Sequence, residues 1–168
     1  MFNRTVVLGA VALIGLAGTL TAQAAIGVRT YRSGPRFGVT TLGGSIIDTI
    51  RSKYGQDVSR VISQFGWQYE RQFASLEGGP VALNEFILLV GGLDQGAAIP
   101  SFTWLIGIRN GEFEFGVGPN GTPAGVALAV SVGHTFNAGA LAIPFNVAWV
   151  PSKFGTRLSF LTGFNIYR

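Results

Sequence analysis

Nucleophilic catalysis needs a hydroxyl or thiol beside a base, and the sequence offers a single pairing of that kind. His134 is the sole histidine, and Thr135 follows it. The chain has no cysteine, which removes thiol nucleophiles, disulfides and thiolate metal ligands together. The plainer account of His134 is an interfacial histidine at a strand end, so no catalytic residue is assigned. Paired carboxylates can exchange protons with a substrate, and Glu70, Glu85, Glu112 and Glu114 alternate in a way that sets them on one face of their segments. Arg36, Arg109 and Arg157 are placed to meet them. Buried charges must be paired, so a salt-bridged network is expected there rather than a reactive dyad. Arg109 and Glu112 flank Asn110-Gly111, a favoured hairpin pair, and can bond locally. The run Gly116-Val117-Gly118-Pro119-Asn120-Gly121 lacks the Lys-Ser/Thr pair and the following helix of a phosphate loop. No zinc or calcium ligand spacing occurs, and no cofactor is expected.

The elements that hold these residues follow from composition and period. Charged residues make up 12% of the chain, about half the soluble norm. Between Pro123 and Ser152 there is no Asp, Glu, Lys or Arg. The net charge of +4 is not gathered into a Lys/Arg cluster, which excludes a nucleic-acid footprint. At the N-terminus, Arg4, an apolar run from Val6 to Ala17 and Ala22-Gln23-Ala24 are the three parts of a secretory signal peptide in order. Segment 1–24 is therefore expected to be removed before Ala25, leaving a mobile, basic lead-in over 25–34 and one domain over 35–168. No other apolar stretch approaches the ~18 residues of a membrane helix.

From residue 35 the pattern alternates with period two, the mark of half-buried strands. It predicts eight strands, over 36–42, 62–74, 81–91, 101–109, 112–118, 125–135, 140–150 and 156–167. In the second, Phe65, Trp67, Tyr69 and Phe73 oppose Gln64, Gly66, Gln68, Glu70 and Gln72. In the fifth, Phe113, Phe115 and Val117 oppose Glu112, Glu114 and Gly116. Val126, Leu128, Val130 and Val132 share one face of the sixth. Leu141, Ile143, Phe145, Val147 and Trp149 share one face of the seventh, and Leu158, Phe160, Phe164 and Ile166 one face of the eighth. The third strand is apolar on both faces, so its parity stays open. Bulky groups on one face and small or polar groups on the other are what a transmembrane barrel shows, with the bulky face toward lipid. That pattern sets Glu70, Glu85, Arg109, Glu112, Glu114 and Arg157 in the lumen. Trp67, Tyr69, Trp104, Trp149 and Tyr167 are candidates for the aromatic girdles. Pro144 lies inside a strand with two paired edges and suggests a bulge.

Short turns and longer loops alternate, with 43–61, 92–100, 119–123 and 151–155 as the longer set. The longest should hold a helix. Ser45-Ile46-Ile47-Asp48 has the form of a capping box with Asp for Glu, Ile46, Ile47, Ile50 and Tyr54 make an apolar stripe, and Gly55 can end it. Packing on the barrel rim is the first expectation for this helix, and a lid, plug or partner-binding role the second.

With these elements in place the chain resembles the small eight-stranded outer-membrane β-barrel proteins, over nearly all of 35–168. The expected fold is an all-β, closed, antiparallel up-and-down barrel of about eight strands with one short helix. The resemblance implies the outer membrane of a Gram-negative bacterium, with outer-membrane lipid and the outer-membrane assembly machinery as partners. It carries over no functional residue and specifies no oligomeric state. Such barrels often end in an aromatic residue read by that machinery, whereas here Tyr167 is penultimate and Arg168 last. The segment from His134 to Gly139 resembles the His-x-Ser segment of outer-membrane lipid A deacylases, but Phe136 stands where that motif has Ser. A structural or surface-interaction barrel without catalysis is the leading expectation. A soluble periplasmic barrel that binds a lipid or other apolar ligand is the alternative, and a lipid-modifying outer-membrane enzyme the third.

Overall fold

The computed structural model describes residues 30–167 apart from 56, 77, 78 and 140. The signal-peptide segment 1–24, its cleavage point and residues 25–29 lie outside the described residues. The strands are β1 (Tyr31–Leu42), β2 (Val61–Ser75), β3 (Val81–Gly91), β4 (Ile99–Asn110), β5 (Phe113–Thr122), β6 (Gly125–Ala138), β7 (Leu141–Ser152) and β8 (Gly155–Gly163), with a short β9 (Ile166–Tyr167) continuing β8. Each strand pairs antiparallel with its sequence neighbours. β1 pairs with β2 on one edge and β8 on the other, so the sheet closes into an eight-stranded up-and-down barrel. Helix α1 (Ile46–Tyr54) lies between β1 and β2.

Period two decides which way each side chain points. Closure of the ring puts the small and polar parity inside, because the interior of an eight-stranded barrel is only as wide as the side chains that fill it. Several inward positions are too tight for any side chain. A Cβ on Gly38 would run into the Phe160 carbonyl of β8, and one on Gly118 into the Trp104 carbonyl of β4. The ambiguous β3 resolves in the same way. Leu83, Glu85, Ile87 and Leu89 are buried, while Phe86 and Leu88 are exposed.

Five expectations need correction. β1 begins at Tyr31, so residues 31–34 are barrel wall and not lead-in, and Tyr31 to Gly34 pair with Arg71 to Gln68. The β4–β5 turn is Gly111-Glu112, one residue beyond Asn110-Gly111, because Asn110 pairs with Phe113. Gly111 supplies the positive φ of 60° at its first central position. The supposed loops 119–123 and 151–155 are tight hairpins, since Thr122 pairs with Gly125 and Ser152 with Gly155. Pro144 makes no bulge, for it keeps register with Thr135. What Pro144 and Pro35 do is interrupt the ladders on either side of residues 164–165, where each lacks an N–H to donate. The register shift lies instead in β2, between Gln72 and Ala74. Finally, Ser45 does not cap α1 through its side chain. Its Oγ donates to the Phe154 carbonyl at 3.1 Å, tying the helix start to the β7–β8 turn, and Asp48 faces solvent beside Arg51.

Candidate functional site

The two ends of the barrel are built differently. At the end that carries the β2–β3, β4–β5 and β6–β7 turns, the interior holds a connected set of charges. Arg109, on β4, bonds both carboxylate oxygens of Glu70 on β2, with its Nη1 donating at 2.6 Å, and also bonds Glu114 on β5. The Arg109 and Glu70 side chains are 6% and 2% exposed. Arg32 Nε lies 4.0 Å from Glu70. One layer further in, Arg36 Nε donates to Gln68 at 2.9 Å, and Gln68 Nε2 donates to Glu85 at 2.9 Å. Arg36 Nη2 donates to Asn165 at 2.6 Å, and its Nη1 to the Pro35 carbonyl at 2.9 Å. Asn146 Nδ2 completes the layer on Glu114 at 3.4 Å. Three guanidinium groups thus meet three carboxylates, and the network ties β1, β2, β3, β4, β5 and β7 together across the lumen. These bonds cross-brace the turn end of the lumen.

Above the network the lumen is packed. Ile87, Leu89, Leu105, Ala129, Val150 and Leu161 form a buried apolar layer, and only about 40 Å³ of free space remains among it and its polar neighbours. The other end opens into a cup of about 810 Å³. Its walls are apolar, from Leu42, Ile46, Ile50, Ile62, Ile99 and Phe154. Thr40, Gln64, Ser101 and Arg157 border both the cup and the narrow space beneath, so they form a polar floor. Helix α1 crosses the mouth. Its start is held to the β7–β8 turn, where Ser45 N donates to the Phe154 carbonyl at 2.7 Å. Near its end, Lys53 Nζ donates to the Pro123 carbonyl of the β5–β6 turn at 3.3 Å. Between these ties Ile46 and Ile50 pack with Leu42, Val58, Ile62 and Ala97. Gly55 ends the helix in the left-handed conformation, its N–H on the Arg51 carbonyl. On the solvent side Arg51 Nη2 donates to Asp57 Oδ1 at 2.5 Å, which holds that guanidinium above its usual pKa. Across the rim, the Ser63 hydroxyl, and Gln95 after it, hold the Asp94 carboxyl below the usual carboxylate range.

The residues singled out from sequence fall into three groups. Glu70, Glu85, Arg109 and Glu114 meet in the lumen as described. Arg157 also points inward but stands apart from them, on the floor of the cup. Glu112 is a correction: it sits in the β4–β5 turn with its side chain 54% exposed, and its Oε2 is 3.4 Å from His134 Nε2. Arg109 is taken by Glu70, from β2, and by Glu114, its direct partner across the β4–β5 ladder, so no Arg109–Glu112 pair forms. His134 projects outward among Phe113 and Phe136, ring centroids 4.6 and 4.4 Å away. Thr135 is buried on the opposite face of β6. Adjacent strand residues point to opposite sides, so these two make no catalytic pair.

Phe65, Trp67, Tyr69, Phe113, Phe115, Val126, Leu128, Leu141, Phe145, Trp149, Phe160 and Phe164 stand exposed on the outer wall. Val130, Ile143 and Val147 lie on the same face, half-covered by their neighbours. Sequence reasoning missed Arg32, lost in the supposed lead-in, and did not join Asn165 to the charges, because its partner Arg36 lies 129 residues away. It saw the apolar stripe of α1 but had no signal for the cup, which needs β1, β4, β6 and β8 brought around it.

Comparison with known proteins yields a fold and no family. No protein-family model matches the chain, and no curated protein does. Among solved structures it is similar to the Yersinia pestis outer membrane protein Ail, determined in a phospholipid bilayer nanodisc. The TM-score is 0.51 at 13% identity, covering 82% of this chain and 99% of that one. The chain therefore has the fold of the small eight-stranded outer-membrane barrels.

Proposed function

We propose that this chain is an integral outer-membrane β-barrel of a Gram-negative cell envelope, exported with its signal peptide cleaved near Ala24, and that it serves a structural or surface-interaction role without catalysis. One observation carries this reading. Among the described strand residues, Arg71 is the one Lys, Arg, Asp or Glu on the outward parity, and it lies toward the turn end, with its guanidinium 5.8 Å from the Tyr31 ring. The remaining strand charges point inward, while Val126 is 78% and Leu128 55% exposed. An apolar outer wall of this extent is an aggregation hazard in water and the required surface in lipid. A closed ring also leaves no unpaired strand edge, which hydrocarbon cannot satisfy. The soluble alternative needs the bulky face inside, and that face is outside. The partners are then outer-membrane lipid along the wall and the assembly machinery that inserts the barrel. The loop-end surface, α1 included, would carry any contact with other molecules.

Leu128→Arg and Val130→Arg test the wall. Each puts a cation at mid-strand on the outer face, at a cost of ~2–4 kcal/mol if that level is the bilayer midplane. The expected result is loss of the folded, heat-modifiable band from the outer-membrane fraction. Wild-type assembly of both variants, or recovery of the wild-type protein as detergent-free periplasmic material, would overturn the reading.

A further inference from the structure

The loop-end cup has a composition that specifies a ligand class. Its volume, about 810 Å³, lies within the ~300–1,000 Å³ of small-molecule sites. Its lining contains no Asp or Glu and two cations, Arg157 on the floor and Lys153 at the rim. Arg157 makes no hydrogen bond or ion pair with any described residue, unlike Arg36 and Arg109 below it, whose partners are all in the wall or lumen. Beside it on the floor are the Thr40 and Ser101 hydroxyls and the Gln64 amide. Above them the walls are hydrocarbon, and α1 roofs them with Ile46 and Ile50.

We propose that this cup binds one long-chain carboxylate, with the carboxylate on Arg157 at the floor and the acyl chain rising along the apolar wall beneath α1. A planar guanidinium matches a carboxylate in a bidentate pair. At the floor Arg157 is the one cation among the lining residues, since Lys153 borders only the upper cup with its Nζ 5.3 Å from the Phe154 ring, so the floor balances one negative charge, whereas a phosphomonoester would bring close to two. The apolar wall supplies the larger share of binding by removing chain methylenes from water. The head on Arg157 sets orientation and selects against neutral chains. The site needs only the closed barrel and α1, so it does not depend on the proposed membrane role.

The test uses the full mature chain in zwitterionic nanodiscs, with radiolabelled laurate as probe and empty nanodiscs as the partition blank. Heat-modifiable mobility reads barrel integrity separately, so a failure to fold is not mistaken for a failure to bind. Saturable binding of one laurate per barrel is expected. Arg157→Gln should weaken it at least tenfold, and Ala127→Trp, which fills the cup from β6, should abolish it, both with the folded band retained. Dodecanol should compete at least tenfold more weakly than laurate, and acetate not at all. If Arg157→Gln does not hold the folded band, Arg157→Lys, which keeps the charge, is expected to fold and bind laurate more weakly than wild type. Binding no greater than to empty nanodiscs would overturn the proposal. So would equal affinity for laurate and dodecanol, tighter binding of dodecyl phosphate than of laurate, or undiminished laurate binding by either folded Arg157 variant.

Discussion

At the turn end Arg109 is held between Glu70 and Glu114, with Arg36 locked onto Gln68 and Asn165 one layer in. At the loop end Arg157 stands on a polar floor under apolar walls, without a hydrogen-bond or ion-pair partner among the described residues. The same side chain, on the same inward parity, braces one end and lines a cup at the other. What differs is the neighbourhood. Near the turns, β2, β3 and β5 each send in a carboxylate. Near the loops, β1, β2 and β4 send in Thr40, Gln64 and Ser101, while α1 and its surroundings add hydrocarbon. A guanidinium with carboxylates in reach becomes cross-bracing. One without them keeps its bonding capacity for something else.

The contrast can be broken at the turn end first. Arg109→Leu strands Glu70 and Glu114 as buried carboxylates, and removing one partner of a buried pair costs ~3–5 kcal/mol. A large drop in the temperature or urea concentration that unfolds the barrel is expected, with much of it restored when Glu70→Gln and Glu114→Gln are added. An Arg109→Leu barrel as stable as wild type would mean that the network does not brace the wall. At the loop end Ile50→Ala should cost ~2–5 kcal/mol, but locally. Amide exchange should rise across α1 while the strands stay protected, and equal loosening of strands and helix would show that the two ends are not separable. The smallest effect belongs to Glu112, half-exposed in the β4–β5 turn beside His134, where an exposed charge contact contributes ~0–1 kcal/mol at most. Glu112→Gln should leave the unfolding midpoint nearly where it was, and a drop as large as that of Arg109→Leu would put Glu112 back in the network.

Strand number, strand order and the bulky-against-small alternation were legible in the sequence, because side chains alternate with strict period two and hairpin neighbours pair in order. The inward direction of Glu70, Glu114 and Arg109 follows from the same local rule, whereas that of Glu85 waited on closure, because β3 is apolar on both faces. Boundaries were read less well. Residues 31–34 look like a basic lead-in until β2 is beside them. Residues 119–122 look like a loop until Gly125 to Leu128 pair with them.

Other features were decided only by closure. Glu112 keeps the parity of Glu114 in sequence, yet the turn takes it out of the strand, so parity ceases to direct it. Arg32 and Asn165 join a network whose members lie far apart along the chain. The alternating sequence determined by itself that two unlike faces exist. The ring determined which groups share the small interior, and therefore that Arg109 is braced by carboxylates while Arg157 meets none among the described residues. Burial and pairing depend on strands that meet only when β1 reaches β8, and no window of sequence contains both.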